Sequence, residues 1–350
     1  MSRRTLASVP RSDDLPAVAS VGGRLATGLL DVTADLAALD GPGFWVVVLP
    51  YDGTPICARF ASTRPLLGQP ARAWPGLPAD AWTSSLDRDQ YCAGVVAIRA
   101  AIAAGDVYQV NLTRRLSAPL PPGADVLALG ASLAGGNPAP HAAVVRLPDH
   151  GIHLASASPE RFLRRAGRFV ETQPVKGTAS TPDAFLPKDR AENVMIVDLM
   201  RNDLGRVCEW GSVEVPALCA VEDHPGLSHL VSTVRGVLRP DVGWPGLLAA
   251  TFPPGSVTGA PKLAAMDAIA TLEPVPRGPY CGAIGWVDGD AGTGDLNVAI
   301  RTFWFDDGQV HLGVGGAITW DSDPEGEWEE TELKGRRLLE VASAALAGTS

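Results

Sequence analysis

The clearest apolar run in the chain, Phe44-Trp-Val-Val-Val-Leu49, reads as a strand buried on both faces, closed by the turn-rich Pro50-Tyr-Asp-Gly-Thr-Pro55. From Asp87 the period changes. Tyr91, Val95, Ile98 and Ile102 recur at helical spacing until Gly105-Asp106 stops the helix, and Val107-Tyr-Gln-Val-Asn-Leu-Thr113 predicts a strand after it. Further strands are expected at about 142–147, 152–156, 230–237, 281–287, 296–305 and 309–314, and helices at about 124–134, 188–204, 246–252, 260–271 and 324–347. Strands outnumber helices and neighbouring runs lie at hairpin distance. The pattern predicts an α+β fold built on antiparallel sheets, not a βαβ alternation. Chemistry is sparse in residues 1–85, so that stretch is expected to be a short N-terminal region packed on a catalytic domain spanning 86–350. No internal repeat or Ser/Gly linker is visible.

Composition narrows the function classes. With 350 residues, 46% of them hydrophobic and 19% charged, the chain is globular, and its 38 Gly and 30 Pro indicate many turns. A formal charge of −10 argues against a nucleic-acid surface, which needs clustered Lys and Arg. The five cysteines, Cys57, Cys92, Cys208, Cys219 and Cys281, contain no C-x-x-C pair, so neither a disulfide framework nor a zinc site is indicated and a reducing compartment is expected. The basic start Met1-Ser-Arg-Arg-Thr5 lacks an apolar stretch behind it, and no run is long enough to span a bilayer. The expected location is the cytoplasm, with no membrane partner.

Two acidic helices carry candidate chemistry. Behind Pro187, which suits a first helical turn, Asp189 and Glu192 share a helix face. The same spacing recurs at Glu327 and Glu330, behind a predicted Asp323 cap and Pro324 start, with Lys334 one turn on. Such residues either complement the positive ends of their helices or, if the helices converge, require a cation to join carboxylates that otherwise repel. A hard divalent ion with oxygen ligands, magnesium above all, would meet that need. Lys176, in Thr172-Gln-Pro-Val-Lys-Gly-Thr178, is either a solvated loop charge or an amine nucleophile.

Several ordered strings decide between these readings. Gly105-Asp-Val-Tyr-Gln-Val-Asn-Leu-Thr113, Ser156-Ala-Ser-Pro-Glu-Arg-Phe162, Pro174-Val-Lys-Gly-Thr178 and the Asp189–Gly205 helix come first. They are followed by His229-Leu-Val-Ser-Thr-Val-Arg235, Pro254-Gly-Ser-Val-Thr-Gly-Ala-Pro-Lys262, Arg277-Gly-Pro-Tyr-Cys-Gly-Ala-Ile-Gly285, Ala299-Ile-Arg-Thr302 and the Glu327 helix. Over about residues 88–345 the chain resembles the chorismate-utilising enzymes, in the branch of aminodeoxychorismate synthase component I. The resemblance implies a sandwich of antiparallel sheets with helices packed outside, and conversion of chorismate and ammonia to 4-amino-4-deoxychorismate on the route to 4-aminobenzoate and folate, with anthranilate synthase component I and a non-catalytic chorismate-binding protein as the alternatives.

It also implies roles. Lys176 stands where anthranilate synthases usually carry alanine, and would attack the ring at C2. Glu160 matches the general acid and would need a raised pKa; without the surrounding strings it would read as a loop salt bridge to Arg161 or Arg164. His229, otherwise a structural residue at a strand start, would lie near the substrate hydroxyl. Glu192 and Glu330 would bind magnesium directly, with Glu327 and Asp189 supporting; Asp189 stands where many relatives carry glutamate. Arg301 in an apolar strand, Tyr280, Lys334, the Gly177-Thr178 backbone and the Gly313–Thr319 glycine-rich turn, with Gly315 and Gly316, would bind the substrate. Gln109 occupies the place of the lysine base of isochorismate-type enzymes and cannot replace it.

Other motifs fail. Gly255-Ser-Val-Thr-Gly-Ala-Pro-Lys262 lacks the Gly-Lys-[Ser/Thr] ending of a phosphate loop, and Pro261 removes an amide that phosphate would need. No glutaminase nucleophile motif is evident, so ammonia is expected from a separate glutamine amidotransferase subunit. Asn137-Pro-Ala-Pro-His141 departs from the Asn-Pro-x-Pro-[Tyr/Phe] segment that helps relatives hold tryptophan, so no tight tryptophan site is expected.

Overall fold

The computed structural model describes residues 16–66, 73–179, 185, 187–224 and 227–344. Antiparallel strands dominate, and six helices, α1 (Arg88–Ala104), α2 (Val126–Gly136), α3 (Pro187–Gly205), α4 (Trp244–Thr251), α5 (Lys262–Leu272) and α6 (Pro324–Ser343), pack around them among the described residues. The α+β expectation holds.

The ends of the helices follow local chemistry. Asp87 caps α1 in a reciprocal box with Gln90, and left-handed Gly105 ends it. On α6 the Asp323 carboxylate accepts from the Gly326 amide at 2.8 Å and Pro324 opens the first turn, as the sequence predicts.

Strands from the first 66 residues join the sheet of the rest of the chain. Val18–Val21 pairs with His141–Leu147, and Phe44–Leu49, buried at all six positions, pairs with Ala283–Asp288. These pairings make the main core, where Phe44–Leu49 meets Leu163, Val234 and Leu296. A second cluster holds α2 and α6 through Leu129, Phe303 and Leu338, and a third lies under α1 through Tyr91, Ile98 and Leu112.

Two expected elements differ, and both differences fall at candidate site residues. The strand expected at 296–305 is two strands, Thr293–Val298 and Thr302–Asp306, and the break between them holds Arg301 at φ 51°. Arg301 is therefore not inside a strand. The chain must leave one partner strand, Arg161–Ala166, and join another, Ile152–Ser158, and the left-handed residue makes the bend. The glycine-rich turn expected at Gly313–Thr319 is the second half of a ten-residue strand, Gln309–Ile318, with Gly315 opposite Thr113 and Gly316 opposite Leu112. The glycines are there because neighbouring groups press on the strand: the Tyr280 ring lies against Gly313, and a Cβ at Gly315 would come within 2.4 Å of the Leu112 carbonyl oxygen.

Candidate active site

Lys176 lies in the strand Val175–Ala179, opposite Leu230 of the strand Leu227–Val237, so it is not a loop charge. The register slips between Lys176 and Thr178, and Gly177 fills the bulge at φ 79°. A Cβ on Gly177 would also come within 3.0 Å of the Asp189 side chain, so this bulge packs directly on the acidic first turn of α3. His229 is buried within the same strand pair, opposite Thr178 and, on its other side, Glu222. It lies inside the strand rather than before it. The Thr178 side chain lies outside the described residues.

Helix α3 is locked to that strand by Asn193, whose Nδ2 donates to the Leu230 carbonyl at 3.1 Å and whose Oδ1 accepts from the Ser232 hydroxyl. Glu192, the preceding residue, is half-buried. The other end of α3 is tied by Lys262, which sits 2.6 Å from Asp203 and donates to the Thr251 carbonyl at 3.0 Å. Lys262 is thus a tether between α3 and α5, which completes the case against a phosphate loop.

Glu160 falls between the strands Ile152–Ser158 and Arg161–Ala166 and is 3% exposed. Burial pushes its carboxyl up to about 7, only partly offset by the neighbouring Ser256 hydroxyl, the Lys176 charge and a backbone bond from Val175. The alternative of a salt bridge to Arg161 is answered by geometry, since Arg161 pairs with Asp295 at 3.1 Å and with Glu171 at 3.5 Å. The Lys176 amine donates to the Ser256 carbonyl at 3.0 Å. A nucleophile candidate and an acid candidate therefore converge on one serine.

The segment around Ser256 is held by a buried clamp. Arg277 donates to the Val257 carbonyl at 2.8 Å and the Asn111 carbonyl at 2.7 Å, while Glu273 pairs with Arg277 at 2.7 Å and accepts from the Thr113 amide at 2.8 Å. Tyr51 places its ring 4.6 Å from the Arg277 guanidinium. Tyr280 is buried, and burial raises its hydroxyl pKa well above the ordinary value, so it stays a neutral donor. Arg301 is half-buried, burial lowers its pKa, and its guanidinium meets no acceptor among the described residues. That makes it a ready partner for a carboxylate.

The acidic face of α6 turns onto the edge of the Gln309–Ile318 strand. A Cβ on Gly316 would sit 3.1 Å from Glu327 Oε2 and 3.8 Å from both Glu330 Oε1 and Lys334 Nζ. Glu327 is buried and accepts from the Ser322 hydroxyl at 2.6 Å; Glu330 pairs with Lys334 at 2.6 Å, and Lys334 also donates to the Gly315 carbonyl at 3.0 Å. Among the described residues, no three Asp, Glu, His or Cys side chains gather into a metal cage. Magnesium seldom uses one; it takes one or two carboxylates and fills its remaining positions with water and substrate oxygens. Two carboxylates converging over a residue without a side chain fit that habit.

Sequence reasoning did not single out Ser256, the Glu273–Arg277 clamp, or the state of Gln109. Both side-chain amide atoms of Gln109 are fully buried without a hydrogen-bond partner, and the buried Ser256 hydroxyl lies beside the Glu160 carboxyl without a well-aligned bond. A separate cavity of about 640 Å³, bordered by Ser20, Leu127, Asn137, His141, Arg161 and Trp286, contains neither Lys176 nor the α3 and α6 acids. All five cysteines are unpaired, and no helix among the described residues is long and apolar enough to cross a membrane.

Residues 63–340 match the chorismate binding enzyme family. The chain belongs to that family. It is 42% identical over 271 residues to aminodeoxychorismate synthase component 1 of Klebsiella aerogenes, covering 74% of this chain and 59% of that protein. Against anthranilate synthase component 1 of Streptomyces coelicolor it is also 42% identical, over 296 residues that cover 80% of this chain and 57% of the relative. The chain thus spans a little under three-fifths of these curated relatives. Among solved structures it resembles anthranilate synthase component I of Streptococcus pneumoniae, with a TM-score of 0.78 and 24% identity over 96% of this chain and 95% of that one. The menaquinone-specific isochorismate synthase MenF of Escherichia coli gives a TM-score of 0.77 at 17% identity, over 97% and 92%. These two likenesses establish a shared fold, the α+β sandwich that the ordered strings imply.

Proposed function

We propose that this chorismate-binding enzyme replaces the C4 hydroxyl of chorismate with an amino group, giving 4-amino-4-deoxychorismate for 4-aminobenzoate and folate synthesis. Overall identity does not choose between amination at C4 and at C2, because relatives named for each product are equally similar. The observation that carries the reading is the Lys176 amine, held on the Ser256 carbonyl at 3.0 Å, with the buried Glu160 carboxyl, pushed up to about 7, near enough to feel its charge and able to give or take a proton near neutral pH.

In this reading the neutral Lys176 amine forms a bond to ring C2 while the C4–O bond breaks, and Glu160 donates its proton so that the oxygen leaves as water. Ammonia then bonds to C4 as the C2–N bond breaks and Lys176 departs as a free amine. The new C4 ammonium returns a proton to Glu160. Two transposed displacements put nitrogen where oxygen began. Arg301 and Tyr280, with the Gly315–Gly316 edge and Lys334, bind and orient the dianion; His229 lies toward the reacting hydroxyl. Glu192 and Glu330 would hold magnesium, with Glu327 and Asp189 in support, and the bound ion would supply electrophilic stabilisation of the ring carboxylate. Ammonia comes from a separate glutamine amidotransferase subunit, and the reaction runs in the cytoplasm.

Incubation with chorismate, magnesium and an ammonium salt, followed by chromatography and mass spectrometry, tests the reading. The expected product is 4-amino-4-deoxychorismate. Anthranilate as the main product would reject it in favour of direct amination at C2.

A further inference from the structure

Among the described residues, the side chain and backbone of Ser256 meet both reacting groups. Its carbonyl accepts from the Lys176 amine at 3.0 Å, and its hydroxyl lies by the Glu160 carboxyl. The Lys176 charge lowers the Glu160 pKa, but among the described residues no direct ion pair within 4.0 Å joins them. The serine is 3% exposed, and its hydroxyl oxygen is buried with no aligned hydrogen-bond partner. A buried hydroxyl that faces a carboxyl without a well-aligned bond forgoes much of that bond's stabilisation, so its presence calls for an explanation.

The chemistry supplies one. Lys176 and Glu160 together carry a fixed number of protons whether they stand as ammonium and carboxylate or as amine and carboxylic acid. Only the second form can react, because the nucleophile must be neutral and the acid must hold a proton.

We propose that the Ser256 hydroxyl relays a proton from the Lys176 ammonium to the Glu160 carboxylate, creating nucleophile and acid in one event. An N–H bond of Lys176 breaks as its proton passes to Ser256 Oγ, and the Ser256 O–H bond breaks as its own proton passes to Glu160. The serine ends as a hydroxyl, and no other reactant is consumed. Arg277, bonded to the next carbonyl at Val257, keeps the serine in place.

The inference rests on the lysine-nucleophile reading, and one experiment separates the two. Full-length wild type, Ser256→Ala and Ser256→Thr are mixed with chorismate and magnesium without ammonia, in H2O and in D2O. Adduct formation on the Lys176 peptide is timed by mass spectrometry, and chorismate affinity is measured by calorimetry. The relay requires Ser256→Ala to form adduct about 100-fold more slowly with affinity changed less than twofold, Ser256→Thr to recover most of the rate, and the wild-type solvent isotope effect to vanish in the alanine variant. If wild type forms adduct and Ser256→Ala matches it within about twofold, the relay is wrong and the nucleophile stands. If wild type forms no adduct, the nucleophile reading falls and the relay with it.

Discussion

Lys176 and Ser256 are 80 residues apart in the chain, yet the lysine amine donates to the serine carbonyl at 3.0 Å. The contact places the amine on the strand Val175–Ala179 against the turn Gly255–Val257 without neutralising it with a carboxylate. An amine that donates to a neutral carbonyl is positioned without being committed to a close ion pair.

Covalent attachment follows from that placement. Wild type given chorismate and magnesium without ammonia should accumulate a mass adduct on the peptide carrying Lys176. Lys176→Ala should lose the adduct and at least about 100-fold in amination rate, since Glu160 is left with no nucleophile to assist. An unmodified peptide together with a fully active alanine variant would return Lys176 to a binding role.

Glu160 should leave its mark on stability. Its carboxyl is raised from 4.5 to about 7 by burial, so the unfolded chain ionises first as pH climbs. The contribution to folding is complete below about pH 4.5, is lost progressively up to about pH 7, and stays constant above; its size is up to about 3 kcal/mol. Glu160→Gln cannot ionise and should flatten this part of the curve. Urea unfolding of both proteins between pH 4 and about 8 is the measurement, and parallel curves would show that burial does not raise the carboxyl's pKa.

For the acidic helices, Glu330→Ala and Glu192→Ala should each abolish most turnover with little change in thermal midpoint, because both residues are only half-buried. Calorimetric titration with magnesium in the presence of chorismate should show binding to wild type and at least tenfold weaker binding to each variant. Unchanged magnesium affinity would remove that residue from the ligand set.

The Glu273–Arg277 clamp should dominate local stability. Glu273→Ala strands a buried guanidinium and is expected to cost about 3–5 kcal/mol, read as a lower denaturation midpoint. A loss under about 1 kcal/mol would mean that the Asn111 and Val257 carbonyls alone suffice for Arg277.

Tryptophan should bind poorly. The cavity beside Asn137 and His141 has room for it, so the expectation rests on chemistry: His141 replaces an aromatic wall and lies near Arg161. Calorimetry should detect no micromolar complex, and a tight one would show that the imidazole substitutes for the aromatic ring.

Local pattern made much of this protein legible in its sequence. The run Phe44–Leu49, the Asp87 and Asp323 caps, and the spacing of Glu327 and Glu330 each depend on residues a few positions apart, where periodicity and capping chemistry act directly. Lys176 and Glu160 were found through the ordered strings around them, since neither residue type advertises its chemistry alone. Tertiary structure decided the rest. The break at Arg301 arises because the chain exchanges one partner strand for another, and the strand at Gly313–Ile318 persists despite its glycines because the Gln109–Pro119 strand pairs along its length. Ser256 acquired its place only when a turn was brought against a bulged strand 80 residues away. Such meetings are set by register and packing between distant segments, and no periodicity within either segment encodes them.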